Sequence, residues 1–466
     1  MAMLSDSSIF RGERSLAGRR VGVVGLARSG VAAVEFLADR GARVVGFDTR
    51  PLEALSAEAR EVAGRCEAGY APYGAEVEPG ALDMLVVSPG VPTDSPLIQA
   101  ARAAGAEIVG EVELAYRFCD APMVAVTGTC GKGTTVTTLG ALLAEGKVPS
   151  LVAGNIGLPL ISQMERSAEL DVVVAEISSF QLETTTHFRP AIAALLNVTE
   201  DHLERYPDFE AYVAAKRRIF RNQTAEDYAI LCLDDPVTRR VAADNPTRAT
   251  VLTVQLGDTQ ANGRLEDDRL VLQLPGQPPE VMATRADLAL KADHHVINVL
   301  VAGLAARLCG VPTKTMPAAL RSYQPAPHLM TLVGEFGGVR YIDDSKATNP
   351  ASAIADLKSI EGPVIVIAGG KEKDTDFTEF GRLLARRAKA VLLMGECAPR
   401  IAQAVGRPEL CRTVASMDEA VELAARMAQP GDTVALCPAC SSLDMFTSYA
   451  QRGEAFAQAA RRLAGC

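Results

Sequence analysis

Residues 123–135 read MVAVTGTCGKGTT, an apolar strand that runs into a glycine–lysine turn and then into a helix-like stretch. That order commits this part of the chain to an α/β sheet with the turn at a strand's carboxyl end. Backbone N–H groups in such a turn and in the following helix N-terminus point at one place. The helix dipole favours an anion there, and Lys132 can reach the terminal phosphates of ATP. The residue after the lysine is Gly133, where a Ser or Thr would offer a hydroxyl to Mg²⁺. The motif is therefore strong for phosphate and incomplete for metal.

The chain has 466 residues, more than one hydrophobic core holds, and its length suggests roughly three domains at ~100–200 residues each. Two further stretches repeat the αβ rhythm. In the first, the apolar run 21–24 turns through GLARSG (25–30), continues as an apolar-periodic helix and returns as strand 43–47, ending in Asp48. This βαβ unit carries a GxAxxG turn, which suits a dinucleotide or another nucleotide-containing ligand equally well. A second strand, 84–87, ends in Ser88-Pro89-Gly90. The other stretch starts near Pro325, where YIDDSKATNP (341–350) is a strand ending in a polar cluster, with Asn349-Pro350 as a helix start. Strand 364–368 then ends in GGKEK, strand 391–394 in Gly395-Glu396, and strand 433–436 in CPACSS. The expected fold is α/β in three domains: Rossmann-like over 1–120, a central P-loop-type ATP-binding sheet over 121–325, and Rossmann-like again over 326–466.

A formal net charge of −10 argues against a general nucleic-acid binder, which needs a basic footprint. No apolar run approaches the ~20 residues that span a bilayer, so membrane insertion is not expected. The first residues carry arginines with no apolar stretch after them, which reads as no secretory signal and makes the cytoplasm the expected compartment. The ten cysteines are scattered. Only Cys437-Pro-Ala-Cys440 has metal or redox spacing; without a second pair, it reads as structural.

In the central stretch, strand 171–175 leads into EISSFQ, placing the Glu176 carboxylate where a Mg²⁺ ligand is wanted. Strand 192–196 leads into NVTEDH, and His202 could ligate metal or hold substrate. Taken singly, His202 is an ordinary loop histidine, and Lys216, followed by two arginines, belongs to a solvated helix face. Convergence of strand ends on one sheet edge reverses that weighting.

These motifs, in this order, resemble the ATP-dependent Mur ligases, and among them the ligases that add D-glutamate to UDP-N-acetylmuramoyl-L-alanine. The resemblance rests on GLARSG with FDTR (47–50), SPG, AVTGTCGKGTT, GNIGLP (154–159), EISSFQLETT (176–185), LNVTEDHLERY (196–206), AAKRRIF, DDSKATN (343–349) and PACSSLDMFTSYAQRGEAF (438–456). It implies a cytoplasmic, monomeric enzyme of peptidoglycan precursor synthesis that binds no nucleic acid and does not insert into a membrane. Its partners would be UDP-N-acetylmuramoyl-L-alanine and D-glutamate, and its cofactors ATP, two Mg²⁺ ions and CO₂ as a lysine carbamate. Lys132, Glu176, His202 and Lys216 would be catalytic. ATP would be held by Gly128, Thr129, Cys130, Gly131, Lys132, Gly133, Thr134, Asn298, Asp344 and Lys346. The UDP-sugar would meet Asp48, Thr49, Arg50, Gly90 and Asn155; the amino acid would meet Thr348, Lys373, Ser442, Leu443 and Tyr449. Glu176, His202, carbamylated Lys216 and Thr134 would ligate metal.

Against the family pattern, Cys130 stands for Asn, Gly133 for Ser or Thr, His295 for the first Asn of His-Asn-x-x-Asn, Leu329 for Arg, and Lys371 for an acidic residue. Other classes fit the residues too: a non-catalytic UDP-sugar or nucleotide-binding relative, and a ligase with another acceptor, similar to folylpolyglutamate synthetase. The FDTR unit weighs against the second. A GxAxxG dehydrogenase is the remote third.

Overall fold

The computed structural model describes residues 4, 8–66, 70–72, 82–372 and 375–463. The chain forms two compact units. One comprises Met1–Val198, Arg205–Leu288 and Val296–Tyr323; the other comprises Thr199–Glu204, Ala289–His295 and Gln324–Cys466.

The first unit holds two sheets. Strands β1 (Arg20–Val24), β2 (Arg43–Asp48), β3 (Tyr70–Pro72), β4 (Met84–Val87) and β5 (Glu107–Gly110) form a parallel sheet in the order β3-β2-β1-β4-β5. The order reverses at β1, so a crevice opens at the carboxyl ends of β1 and β4, the usual ligand position in such sheets. The helix Arg28–Asp39 packs tightly on the turn after β1. A Cβ at Gly30 would lie 1.9 Å from the Gly25 carbonyl oxygen, so only glycine fits there.

The second sheet contains β6 (Met123–Thr127), β7 (Ser150–Gly154), β8 (Val172–Glu176), β9 (Ile192–Leu195), β10 (Tyr228–Cys232), β11 (Thr250–Val254), β12 (Gly263–Glu266), β13 (Arg269–Leu272) and β14 (Glu280–Thr284). They run in the order β14-β13-β12-β11-β10-β9-β6-β8-β7. From β7 to β12 the neighbours are parallel, whereas β12, β13 and β14 form an antiparallel meander at one edge. Strands β6 and β8 are buried along their whole length, as expected for a parallel sheet covered on both faces. Glu176 is the last residue of β8, within the strand rather than beyond it.

The helix Glu111–Phe118 is tied to the second sheet's connections by two buried carboxyls. Glu111 accepts from the Ile161 N–H at 2.7 Å, and Glu113 accepts from the N–H groups of Thr186, His187 and Phe188 at 2.9–3.1 Å. Burial pushes the Glu111 carboxyl up to about 7 from 4.5, and the N–H groups of Ile161 and Leu160 offset this only in part. The folded state therefore holds this proton more tightly than the unfolded chain. Stability present below pH 4.5 is lost as the pH rises towards 7, by an upper limit of about 3 kcal/mol. The Glu111→Gln variant is accordingly expected to unfold at a higher temperature than the parent at pH 8 and at nearly the same temperature at pH 4.5. Thermal denaturation at the two pH values checks this; a difference independent of pH would refute it.

The second unit holds β15 (Thr331–Phe336), β16 (Val339–Asp343), β17 (Val364–Gly369), β18 (Ala388–Met394), β19 (Cys411–Thr413) and β20 (Thr433–Leu436). The order is β15-β16-β20-β17-β18-β19, parallel except for the edge strand β15. Asn349 caps the helix Pro350–Ser359 by accepting from the Ser352 N–H. The buried Arg452 clasps the loop after β16: its Nε donates to Ser345 Oγ, one terminal nitrogen to the Ser345 carbonyl, and the other to the Cys440 carbonyl. Cys437 and Cys440 are both buried free thiols, and Cys437 Sγ donates to Asp344 and to the Ala353 carbonyl. Among the described residues, no helix is long and apolar enough to cross a membrane.

Candidate active site

In the first unit, the turn after β6 is built on two glycines with positive φ, Gly128 at 156° and Gly131 at 86°. Gly131 precedes the helix Lys132–Glu145, and no side chain caps that helix, so its leading N–H groups are left for a ligand. A Cβ on Gly131 would lie 2.4 Å from Asn298 Oδ1, which fixes glycine at this position a second time. Asn197 holds the turn from the other side. It accepts from the Cys130 N–H at 2.9 Å through its side chain and donates to the Cys130 carbonyl at 3.1 Å, while its own carbonyl accepts from the Thr129 N–H. Lys132 Nζ donates to the carbonyls of Gly128 and Thr129, at 2.8 and 2.9 Å, and so lies over the mouth of the loop.

Glu176, at the end of the neighbouring strand, is buried, and its Oε1 accepts from Asn155 Nδ2 at 2.7 Å. A Cβ at Gly133 would sit 3.3 Å from Glu176 Oε2, so a hydroxyl at this position would point to the carboxylate. Among the described residues, Oε2 accepts no hydrogen bond. Of the two threonines that follow, Thr135 is spent on the Gly131 carbonyl, leaving Thr134, half-buried, as the nearer hydroxyl in sequence. Asn155 thus reaches Glu176. Lys216, on the helix Phe209–Arg217, is only 2% exposed, so it does not belong to a solvated face. Its Nζ donates to the Gly128 carbonyl at 2.9 Å and lies 4.5 Å from the centre of the Tyr212 ring.

A second concavity in the same unit has a volume of about 530 Å³ and lies at the carboxyl ends of β1 and β4. Asp48, Thr49, Arg50, Gly90 and Asn155 all line it. Asp48 is buried: it accepts from the Leu26 N–H at 2.8 Å and forms two bonds to the Arg50 guanidinium, each at 2.9 Å. Arg50 chiefly, helped by two backbone N–H groups, holds the Asp48 carboxyl down at about 2. Asp48 thus fixes a cation at the mouth. Arg28 and Gln181 also line this space, and sequence reading missed both. Arg28 could have been noticed, since it is the first residue of the helix after the glycine turn; Gln181 reads locally as the partner of Ser178 in a capping box, which it is.

In the second unit, Lys346 Nζ lies 4.9 Å from the centre of the Tyr449 ring, and Thr348 N–H donates to the Lys346 carbonyl. Ser442 is buried and Leu443 exposed. Lys373 lies outside the described residues. Asp344, which the resemblance assigned to ATP, is 0% exposed. Its carboxyl accepts from the Met330 N–H and the Cys437 thiol, and burial, with Asp356 beside it, raises its pKa well above the usual carboxylate range. It is an interior group, and its neighbours Asp343 and Ser345 are buried with it. His202 has a positive φ of 58°; its N–H donates to Asp201 and its Nδ1 lies 3.5 Å from Glu204.

A phosphate loop in a nine-stranded sheet, with one Rossmann-like sheet before it and another after it in the chain, defines a nucleotide-dependent enzyme of the three-domain ligase type. Residues 126–306 match the Mur ligase middle domain, residues 330–440 the Mur ligase glutamate ligase domain, and residues 19–110 the MurD-like N-terminal domain of Mur ligases. The chain belongs to the Mur ligase family. It is 42% identical to a UDP-N-acetylmuramoylalanine–D-glutamate ligase of Geobacter metallireducens, covering 96% of this chain and 98% of the relative. A ligase of the same name from Pelotomaculum thermopropionicum is 41% identical over 94% of this chain and 96% of its own length. Among solved structures, the fold is shared with a pseudomurein peptide ligase type C from Methanothermus fervidus (TM-score 0.61, 15% identity, 96% and 100% of the two chains). It is also shared with MurF ligase from Thermotoga maritima in complex with ADP (TM-score 0.59, 16% identity, 98% and 96%).

Proposed function

We propose that this chain is the ATP-dependent ligase that joins D-glutamate to UDP-N-acetylmuramoyl-L-alanine in peptidoglycan precursor synthesis. The observation that carries this reading is its likeness, over nearly its whole length, to ligases of that name. The phosphate loop and the cavity beside it supply the chemistry. A carboxylate oxygen is a poor leaving group, so the alanyl carboxylate first attacks the γ-phosphorus of ATP, ADP departs, and an acyl phosphate forms. The amine of glutamate then attacks the acyl carbon; the C–O bond to phosphate breaks, phosphate leaves with the electron pair, and the nitrogen loses a proton.

Within this scheme the loop N–H groups and Lys132 take up the charge that spreads over the transferring oxygens. The open Oε2 of Glu176 beside the first turn of the loop helix suits a divalent cation, and Glu176 with Thr134 would hold Mg²⁺, which neutralises phosphate charge when bound. Arg50, held by Asp48, faces the cavity as a partner for the diphosphate of the UDP-sugar. Purified protein given UDP-N-acetylmuramoyl-L-alanine, D-glutamate, Mg²⁺ and ATP is expected to release phosphate only when all four are present. Release that ignores the amino acid, or none above background, would overturn the reading.

Two variants refine it. Asp48→Asn frees the Arg50 guanidinium from a charged anchor, and the KM for the UDP-sugar is expected to rise roughly tenfold, with kcat changed less than twofold. A fall in kcat at unchanged KM would argue against the anchoring role. Gly133→Ser adds a hydroxyl towards Glu176, so the Mg²⁺ concentration for half-maximal rate is expected to fall severalfold. An unchanged or higher requirement would show that the position does not face the metal.

A further inference from the structure

We propose that His294, His295 and Asp356 form a second, separate binding site for a divalent transition-metal ion of the zinc kind. The three residues come from the segment Ala289–His295 and from the helix Pro350–Ser359, both within the second unit. Their donor atoms converge on one point. The two Nε2 atoms are 3.0 Å apart, and Asp356 Oδ1 lies 2.9 Å from His294 Nε2 and 3.3 Å from His295 Nε2.

Those separations are what a tetrahedral ion asks for. Ligands at zinc's ~2.0–2.1 Å bond length stand about 3.3 Å apart along a tetrahedron's edge. One separation is already there, and the other two are shorter, as expected where hydrogen bonds draw the donors together. Both imidazoles can donate Nε2–H to Asp356 Oδ1, and an ion that displaces those protons meets the same three atoms facing one point.

Two imidazoles and a carboxylate form a ligand set typical of zinc sites that keep a fourth position for water, whereas Mg²⁺ prefers oxygen ligands throughout. His294 is partly exposed, which leaves an entry path, while His295 and Asp356 are buried. His295 Nδ1 is buried without a partner among the described residues, so the polar contacts of this ring are made through Nε2 at the cluster. The buried Asp344 carboxyl lies close enough to Asp356 to interact with it, a second carboxyl beside the candidate ligand. His295 is also one of the positions where the chain departs from the family pattern, which has asparagine there. The site is a property of this chain rather than of the resemblance.

The test uses the full-length protein, stripped with a chelator and titrated with Co²⁺ and Zn²⁺. The wild type is expected to take up one equivalent with the visible absorption of tetrahedral Co²⁺, which Zn²⁺ then displaces, and its unfolding temperature should rise with Zn²⁺. In His295→Asn, which restores the family residue, affinity is expected to fall by roughly 100-fold or more, since outer-shell changes alone cost 10–100-fold. Both the absorption and the thermal shift should then vanish. Asp356→Asn should behave alike; if it does not fold, His295→Asn still decides. Equal Zn²⁺ stoichiometry and affinity in wild type and His295→Asn, or no retained equivalent in the wild type, would overturn the proposal.

Discussion

Replacing Lys132 with methionine is expected to lower kcat for phosphate release by about 10³-fold or more, while the KM for the UDP-sugar changes little. Lys132 Nζ lies on the Gly128 and Thr129 carbonyls, the place where a γ-phosphate must compete for it. Methionine keeps the length and apolar stem and removes only the charge, so the loop, built on Gly128, Gly131 and Asn197, should persist. The remaining N–H donors still bind ground-state phosphates, and ATP affinity should fall by roughly tenfold at most. The larger loss belongs in kcat because charge on the transferring oxygens is greatest as the bond to ADP breaks. Calorimetric titration with an ATP analogue beside steady-state phosphate release separates the two. If affinity falls as far as kcat, Lys132 serves binding uniformly and not the transfer step.

What the sequence made legible was local. The glycine turn at 25–30 and the phosphate loop each span one strand, one turn and one helix, so their residue spacing carries their geometry. The switch at β1 in the first sheet follows from the same βαβ grammar. Lys216 was harder: its neighbours along the helix are arginines, and only the fold puts its Nζ on Gly128, 88 positions earlier. Asn298 packs on Gly131 for the same reason. The burial of Asp344 was also out of reach, because a carboxylate at a strand end looks exposed in one dimension. The side chain turns inward to Cys437 and Asp356, partners that follow in the chain by a dozen residues or many tens. The antiparallel strands β12–β14 are short, and their pairing rests on burial that alternation over four or five residues does not reveal. Contiguous domain bounds also simplify, since the segments Thr199–Glu204 and Ala289–His295 belong to the unit that otherwise starts at Gln324.

Lys216 is the position where chemistry and geometry can be separated most sharply. The Gly128 carbonyl accepts one N–H, which an ammonium and a carbamate nitrogen both provide, whereas the face of Tyr212 favours a cation. We propose the carbamate, formed when the neutral amine adds to CO₂ and loses a proton, because a buried anion beside the phosphate loop can serve as a magnesium ligand. Lys216→Ala and Lys216→Arg are then both expected to lose about 10³-fold in kcat, as arginine keeps the positive charge but does not form the carbamate. A cationic role predicts the opposite split, with arginine within roughly tenfold of the parent and alanine far below it. Because arginine is bulkier in a buried site, a second measurement accompanies the pair: wild-type enzyme held in CO₂-free buffer should lose most of its activity and regain it on adding bicarbonate, while the residual activity of Lys216→Ala shows no such response. Full activity after CO₂ removal, with arginine tolerated, would place a simple ammonium at Lys216.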